Sequence, residues 1–388
     1  MLMLALTRSL PNRRHRFKPA GSSRGFSITE LLVVIGIIVL LAGLLLVALG
    51  KARSRALETT TLSTMQAFAR ACDTFQGDHG FYPGVIPERV LAQDPKITST
   101  QNALLHLLGG YRVLSPIEVD AGSGTAFDEF EQFQDDSTAG IVLDFEDDDG
   151  RVWRIIVDLD RIGEGPFINN RPYAPYFSVS GNELQALPEL WVGEPFASEI
   201  DSDAFQQLPH LLDAWGQPII YLRQVRTTGP LFRDLDNPER RPQFLLGGEV
   251  HYVNSRQLGS LGKTQPYAQS PSSPPGNEPP LASPNGSILS YGSESELEID
   301  DIYLNWAQLI RHPAFGPRQV ENDTLSELTA RGAYVLISAG SDGVFFSATD
   351  GAGRPGNPVI RISEDDGDFQ TIPTIVSEYD DIVVFGGG

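Results

Sequence analysis

The sequence predicts an α+β protein in which one long N-terminal helix packs on an antiparallel sheet, with loop and hairpin insertions. Two observations support this fold class. The first is a proline-free stretch between Pro19 and Pro83, which begins with an uncharged run and continues with helical spacing. The second is a set of short runs rich in Val, Ile, Leu and Tyr, bounded by Gly, Pro and Asp. Such runs are typical of β-strands.

The uncharged run covers residues 31–49, and a basic leader precedes it. Nineteen helical residues extend about 28 Å, which matches the hydrocarbon core of a bilayer. The leader, residues 1–25, contains six Lys or Arg residues and no Asp or Glu. Because positive flanks stay cytoplasmic, we expect residues 26–50 to cross the membrane once and the C-terminal body to be exported.

Beyond the apolar run, apolar residues recur at steps of three and four, which predicts that the helix continues on a soluble core to about residue 76. The stretch 77–84 is then expected to provide a C-cap glycine followed by a turn. The residues with this spacing are Leu57, Thr61, Met65, Phe68, Cys72 and Phe75.

Glu30 stands at the head of the apolar run, where a carboxylate is costly unless it is paired or lies near the membrane interface. One interpretation is an interfacial acid that favours the helix N-terminus. The other is an acid that pairs with a cation supplied by a partner.

The segment Gly25-Phe26-Ser-Ile-Thr-Glu30, followed by Leu-Leu-Val-Val-Ile, resembles the cleavage and methylation site of type IV prepilins and type II secretion pseudopilins. The resemblance implies that a prepilin peptidase cuts between Gly25 and Phe26, and that Phe26 is N-methylated. It also implies that Glu30 neutralises the Phe26 amine of a neighbouring pilin or pseudopilin subunit. A filament would then assemble at an inner-membrane platform, with the body in the periplasm.

Two further segments are similar to pseudopilin segments in the same order along the chain. Residues 77–84 place an acid and a glycine before Tyr-Pro, and residues 213–218 read Asp-Ala-Trp-Gly-Gln-Pro. The resemblance therefore implies a pilin-like scaffold in which segments of about 85–210 and 223–333 are insertions in an exported head, residues 77–388.

Other interpretations of the N-terminus stay open. A secretory signal would be cut after the apolar run, near residues 48–50. Arg13-Arg14 is a partial twin-arginine pattern. An uncleaved anchor would instead carry a periplasmic binding domain that does not polymerise, and an anchored hydrolase that uses the acidic loops is a further alternative.

Composition and motifs narrow the functional classes. The chain has 29 basic and 50 acidic residues, a net charge of −21, and without the leader the remaining 23 basic and 50 acidic residues give −27. Because nucleic-acid binding needs clustered Lys and Arg, we expect no nucleic-acid partner. A Gly-x-Ser-x-Gly pattern occurs only at residues 21–25, within the basic leader, and no His-Glu-x-x-His motif occurs, so we do not predict an enzyme. Cys72, the single cysteine, is predicted to be a buried apolar residue.

Three regions of the head have recognisable local patterns. Apolar runs on both sides of an acidic turn at 146–150 predict a β-hairpin. The Pro/Ser-rich segment 262–287 cannot bury enough apolar surface to fold, so we expect a mobile loop. Residues 334–346 predict a strand, a turn and a second strand.

The C-terminal turns resemble the loop that holds calcium in major pseudopilins. Calcium takes six to eight hard oxygen ligands, and two turns without metal are the alternative interpretation. The resemblance implies Asp342 and Asp381 as the first ligands, with Asp380, Ser338 and Ser341 next.

Overall fold

The computed structural model divides into two compact units, residues 1–53 and 54–388. Helix α1 contributes residues to both units. The structure describes residues 27–93, 96–120, 140–147, 149–169, 171–178, 184–185, 208–232, 240–246, 306–307, 309–312, 329–343, 345–346 and 379–387. The leader, with Gly25 and Phe26, and the segment 262–287 lie outside these ranges.

Helix α1 runs without interruption from Ile28 to His79, a length of 52 residues. In its first half, the described large apolar side chains between Leu31 and Leu49 are each 45–70% exposed. Among the described residues, α1 is the one helix that is long and apolar enough to cross a membrane, with a hydropathy of 3.3 over its most apolar window. The described residues of the protein therefore provide no core for this half.

The second half of α1 packs in the body. Met65, Phe68, Cys72 and Phe75 are completely buried, which confirms the spacing predicted from the sequence and the buried position of Cys72. The ring of Phe68 makes edge contacts with Phe177 and with a tyrosine of the sheet described below, at centroid distances of 5.5 and 5.6 Å.

Helix α1 ends within the stretch 77–84, where a C-cap glycine was predicted, and extends beyond the predicted bound of about residue 76. The helix continues to His79, and Gly80, with φ of +81°, donates its N–H to the Gln76 carbonyl at 2.7 Å and closes the last turn. The extra turn is held by Tyr176, whose hydroxyl donates to Oδ2 of Asp78 at 2.9 Å and lies 3.0 Å from Nε2 of His79.

A three-stranded antiparallel sheet of β8 (Ile220–Arg223), β9 (Tyr334–Ser338) and β10 (Ile382–Gly386) lies against the second half of α1. Its order is β10-β9-β8, with Leu336 opposite Tyr221 and Val384. The hydroxyl of Tyr334 donates to the Ala69 carbonyl of α1 at 3.0 Å. The face that carries residues 221, 334 and 336 therefore meets the helix.

The opposite face of this sheet is buried as well. Side chains alternate between the two faces of a strand, and Ile220, Leu222, Val335 and Ile337 are at most 1% exposed. Beyond the end of β8, the Val225 N–H donates to the Gln243 carbonyl, and the adjacent Phe244 is buried. The apolar residues of β8 and β9 are thus buried on both faces of the sheet, whereas the residues of β10 are partly exposed.

A second three-stranded antiparallel sheet forms in the 85–210 region. Its order is β1-β3-β2, and the β2–β3 hairpin predicted around the acidic turn is confirmed, with full pairing from Gly140–Asp158 to Glu146–Val152. The elements of this region are α2 (Glu88–Gln93), α3 (Ser99–Leu108), β1 (Tyr111–Leu114), α4 (Pro116–Asp120), β2 (Gly140–Glu146) and β3 (Val152–Asp158).

Helix α3 contributes to two buried clusters, because Leu104 packs with residues of α1, β8 and β9, and Leu105 packs with residues of α2, β2 and β3. It begins with a capping box between Thr98 and Gln101. The Thr100 hydroxyl donates to the Ile219 carbonyl and accepts the Tyr221 N–H, both at 2.9 Å, which fixes α3 to the start of β8. Two short strand pairs complete the described elements: β4 (Phe167–Ile168) with β5 (Arg171–Pro172), and β6 (Leu184–Gln185) with β7 (His210–Leu211).

The second strand predicted within 334–346 does not form in the described residues. Phe345 and Phe346 lie in a turn, and Phe346 has φ of +47°. Its N–H donates to the Asp381 carboxylate, 3.0 Å from each oxygen, so a side chain takes the place of a strand partner. The predicted α+β class, with a long apolar N-terminal helix and antiparallel sheets, is confirmed.

Candidate functional site

Glu30 forms a capping box with Ser27 at the start of α1. The Ser27 N–H donates to Oε2 of Glu30 at 2.9 Å, and the Glu30 N–H donates to Oγ of Ser27 at 3.1 Å. This reciprocal arrangement satisfies donors of the first turn that have no partner within a helix. The carboxylate is exposed and lies where the helix dipole favours a negative charge.

The capping role of Glu30 was not predicted, although the Ser-x-x-Glu signal is present at residues 27–30. That pattern before an apolar run is a known signature of a helix start. Gly25 and Phe26, the two sides of the predicted cut, lie outside the described residues. The structure therefore shows Ser27 as a local partner of Glu30. The pairing of Glu30 with the Phe26 amine of a neighbouring subunit stays a prediction.

At the other predicted site, Asp380 organises the turn that follows β9. Its Oδ2 accepts the Ser341 N–H at 2.8 Å, the Ser341 hydroxyl at 2.6 Å and the Asp342 N–H at 3.1 Å. Asp381 binds the Phe346 N–H in the same turn. The adjacent pair Asp380-Asp381 thus fastens both ends of the 341–346 segment to the start of β10, and four of the five predicted residues meet at this corner.

Ser338, the fifth predicted residue, is engaged elsewhere. Its hydroxyl donates to Oδ2 of Asp213 at 2.7 Å, and both residues are buried. Oδ1 of Asp213 accepts the N–H groups of Trp215 and Gln217 at 2.9 and 2.8 Å. Asp213 therefore closes its own turn and ties that turn to the end of β9.

Asp213, the partner of Ser338, was not among the site residues predicted from the sequence. Burial raises its pKa to about 6, although hydrogen bonds from Ser338, Gln217 and Trp215 favour the charged form. The available signal was an aspartate two and four residues before turn N–H groups, since short acidic side chains commonly bond to backbone ahead of them.

At the C-terminal corner, one side-chain oxygen is suited to bind a calcium ion. Oδ1 of Asp380 is buried without a hydrogen-bond partner, which is the kind of hard oxygen that calcium binds. Within the described part of the chain, no three His, Cys, Asp or Glu side chains are grouped so that they could hold a metal ion. Hydrogen bonds to Asp380 and Asp381 already hold the corner together.

No family model, curated protein or solved structure matches this chain. The chemistry of these residues is therefore the basis on which a function can be proposed.

Proposed function

We propose that the protein is a pseudopilin-like filament subunit of a type II secretion system or a related type IV machine. It is made as a membrane-inserted precursor, cut between Gly25 and Phe26 by a prepilin peptidase, and assembled through α1. The observation that carries the proposal is the division of one continuous helix into an exposed apolar half and a buried amphipathic half, headed by Glu30.

The exposed half needs an apolar environment that the described body does not supply. Each buried CH₂ group contributes about 0.8 kcal/mol, so a helix with this many exposed Leu, Ile and Val side chains is strongly driven out of water. A bilayer supplies that environment first, and the same halves of neighbouring subunits supply it in a filament. The basic leader favours insertion with the body in the periplasm.

The buried half supports a pilin-like scaffold. An amphipathic helix lies on an antiparallel sheet of three strands, and the last strand of the chain is β10 at the sheet edge. The α3 and β1–β3 region then corresponds to an insertion beside that scaffold.

Glu30 gives the proposal its sharpest test. The variants Glu30→Ala and Ser27→Ala both break the capping box, but only Glu30→Ala removes the carboxylate. We expect Glu30→Ala to insert in the membrane and to lose assembly, measured as sedimentable filaments after mild detergent extraction. Ser27→Ala should assemble as the wild type does.

Equal assembly of Glu30→Ala and wild type would contradict the filament proposal. It would favour the second candidate, a single-pass anchored periplasmic domain that binds a partner without polymerising. The specific observation behind that candidate is that the capping box already satisfies Glu30 within its own chain.

We also propose calcium binding at the C-terminal corner, with Asp380 as the first ligand and Asp342 and Asp381 beside it. The support is the buried, unpartnered Oδ1 of Asp380. Calcium would stabilise the native state by mass action, so EDTA should lower the Tm of the full chain and added calcium should restore it.

The calcium response should disappear in Asp380→Asn and Asp342→Ala. The matched control is Asp149→Asn in the exposed hairpin turn, where Asp149 is 63% exposed and pairs only with Arg151 among the ion pairs described. A wild-type Tm that does not respond to EDTA or calcium would remove the metal and leave a hydrogen-bonded corner.

A further inference from the structure

Two arginines, Arg311 and Arg331, lie side by side on a short antiparallel contact next to the C-terminal sheet. Arg311 forms a β-bridge with Ala330, and the Arg331 N–H donates to the Ile310 carbonyl at 2.8 Å. The His312 N–H donates to the Thr329 carbonyl at 2.6 Å. These backbone bonds hold the two arginine positions together independently of their side chains.

The side chains are also placed by specific contacts. The Arg331 guanidinium lies over the ring of Phe385 in β10, 4.7 Å from its centroid, and its Nε donates to the Arg311 carbonyl at 3.4 Å. Arg311 is 4% exposed. The cation–π contact with Phe385 and the hydrogen bond to the Arg311 carbonyl together fix one side of the planar Arg331 guanidinium group.

Neither arginine has a carboxylate partner among the described residues. The contrast within the same protein is clear, since Arg154 pairs with Asp144 at 2.6 Å and Arg223 pairs with the buried Glu88 at 2.7 Å. A chain with 50 acidic and 29 basic residues has an excess of carboxylates to pair with. In this respect Arg311 and Arg331 differ from Arg154 and Arg223, which both have a carboxylate partner.

The arrangement costs free energy in the absence of an anion. Two like charges that are partly removed from water repel each other more strongly than they would at the surface. Burial lowers the pKa of both guanidinium groups, and for Arg311 the neighbouring charge of Arg331 lowers it further. A negative group between them would remove both penalties.

We propose that Arg311 and Arg331 form a binding site for an oxyanion, either a carboxylate or a phosphate group. The planar guanidinium fork matches the oxygen geometry of both groups, and the contact is charge-assisted. The group could come from a free anion or from an acidic side chain of a second copy of this chain. The proposal does not depend on filament assembly.

The test uses the full chain in nonionic detergent, with inorganic phosphate as the probe against chloride at equal ionic strength. Phosphate stabilises many proteins by exclusion from their surface, so the diagnostic result is a rise in Tm that saturates. We expect this saturating rise in the wild type and its loss in Arg331→Gln. Isothermal titration should show phosphate binding weakened about tenfold or more, as expected for a lost charge-assisted contact.

Arg154→Gln is the matched control, because it removes a partly buried arginine that already has a carboxylate partner. It should lower the Tm in chloride and keep the phosphate response. If Arg331→Gln fails to fold, Arg311→Gln gives the same comparison, and a phosphate titration of the wild type followed by phosphorus NMR needs no variant.

Sedimentation velocity in the same detergent distinguishes a free anion from an acidic side chain of a second copy as the source of the oxyanion. Self-association in chloride that phosphate reverses, and that Arg331→Gln abolishes, would identify the carboxylate of a second copy. Phosphate binding to a chain that sediments as one copy in both salts would identify a free anion. The proposal is overturned if phosphate gives no saturating effect, or if Arg331→Gln responds to phosphate as the wild type does.

Discussion

The two halves of helix α1 have the same backbone structure and opposite surroundings. Between Leu31 and Leu49, the described apolar side chains are 45–70% exposed, whereas Met65, Phe68, Cys72 and Phe75 are fully buried. The second half repeats its apolar residues on one face, and the first half is apolar on every face. Within the described part of the chain, the core thus covers the second half of α1 and leaves the first half exposed.

This difference indicates which structure is stabilised when each half of α1 is buried. Burial of the second half stabilises the folded body, because its aromatic side chains fill the space above β8 and β9. Under the proposed function, the first half lies in a membrane or a filament, since a helix that is apolar all round needs an apolar environment on all sides. Substitutions in the two halves should therefore affect different measurements.

The largest expected effect comes from Phe68→Ala compared with Leu40→Ala. Phe68 is completely buried, so its truncation should lower the free energy of unfolding of the body by about 3–5 kcal/mol. Leu40 is 65% exposed, so Leu40→Ala should change that value by less than about 0.5 kcal/mol. Denaturation of the full chain in detergent, followed by tryptophan fluorescence, measures this quantity because all four tryptophans lie beyond residue 150. Equal destabilisation by both variants would mean that the first half also packs in a core of this chain.

A smaller effect is expected for two neighbouring threonines of α1. Oγ1 of the buried Thr61 accepts the Ala214 N–H at 3.0 Å, whereas the exposed Thr60 hydroxyl donates to the Ala56 carbonyl of its own helix. Thr61→Val leaves the Ala214 N–H without its acceptor and should cost about 1–3 kcal/mol. Thr60→Val should stay within about 0.5 kcal/mol. The same denaturation experiment compares them, and equal values would show that Ala214 does not anchor its turn to the helix.

A third expected effect is a pH dependence centred on Asp213. Its pKa is raised from 3.8 to about 6 in the folded state, chiefly by burial. Between these values the folded state binds more protons than the unfolded state, so the contribution of Asp213 to stability is present below about pH 4 and is lost as the pH rises to about 6. Asp213→Asn cannot titrate and should therefore gain stability relative to wild type between pH 4 and pH 7. A difference between the two proteins that does not change with pH would contradict the raised pKa.

The sequence carried enough information for the elements whose signals are local. The helical spacing from Thr61 to Phe75, the β2–β3 hairpin and strand β9 follow from periodicity and turn residues, and each is present. The burial of Cys72 followed from its place in that same spacing.

Features that depend on distant contacts could not be read from local patterns. The last turn of α1 is held by Tyr176, about a hundred residues away in sequence. Ser338 was predicted to face calcium, yet its hydroxyl is bonded to Asp213 from a separate segment. Phe346 lies in a turn because Asp381 takes its N–H. In each case a tertiary partner decides the local conformation.

The N-terminal mass of the mature protein tests the central claim most directly. If the exposed half of α1 forms a filament core after processing, intact-protein and peptide mass spectrometry should find N-methylated Phe26 as the first residue. A product that keeps its arginine-rich leader would be a tethered domain, and a product that begins near Lys51 would have lost the apolar half as a signal sequence. Either of these results would contradict the account.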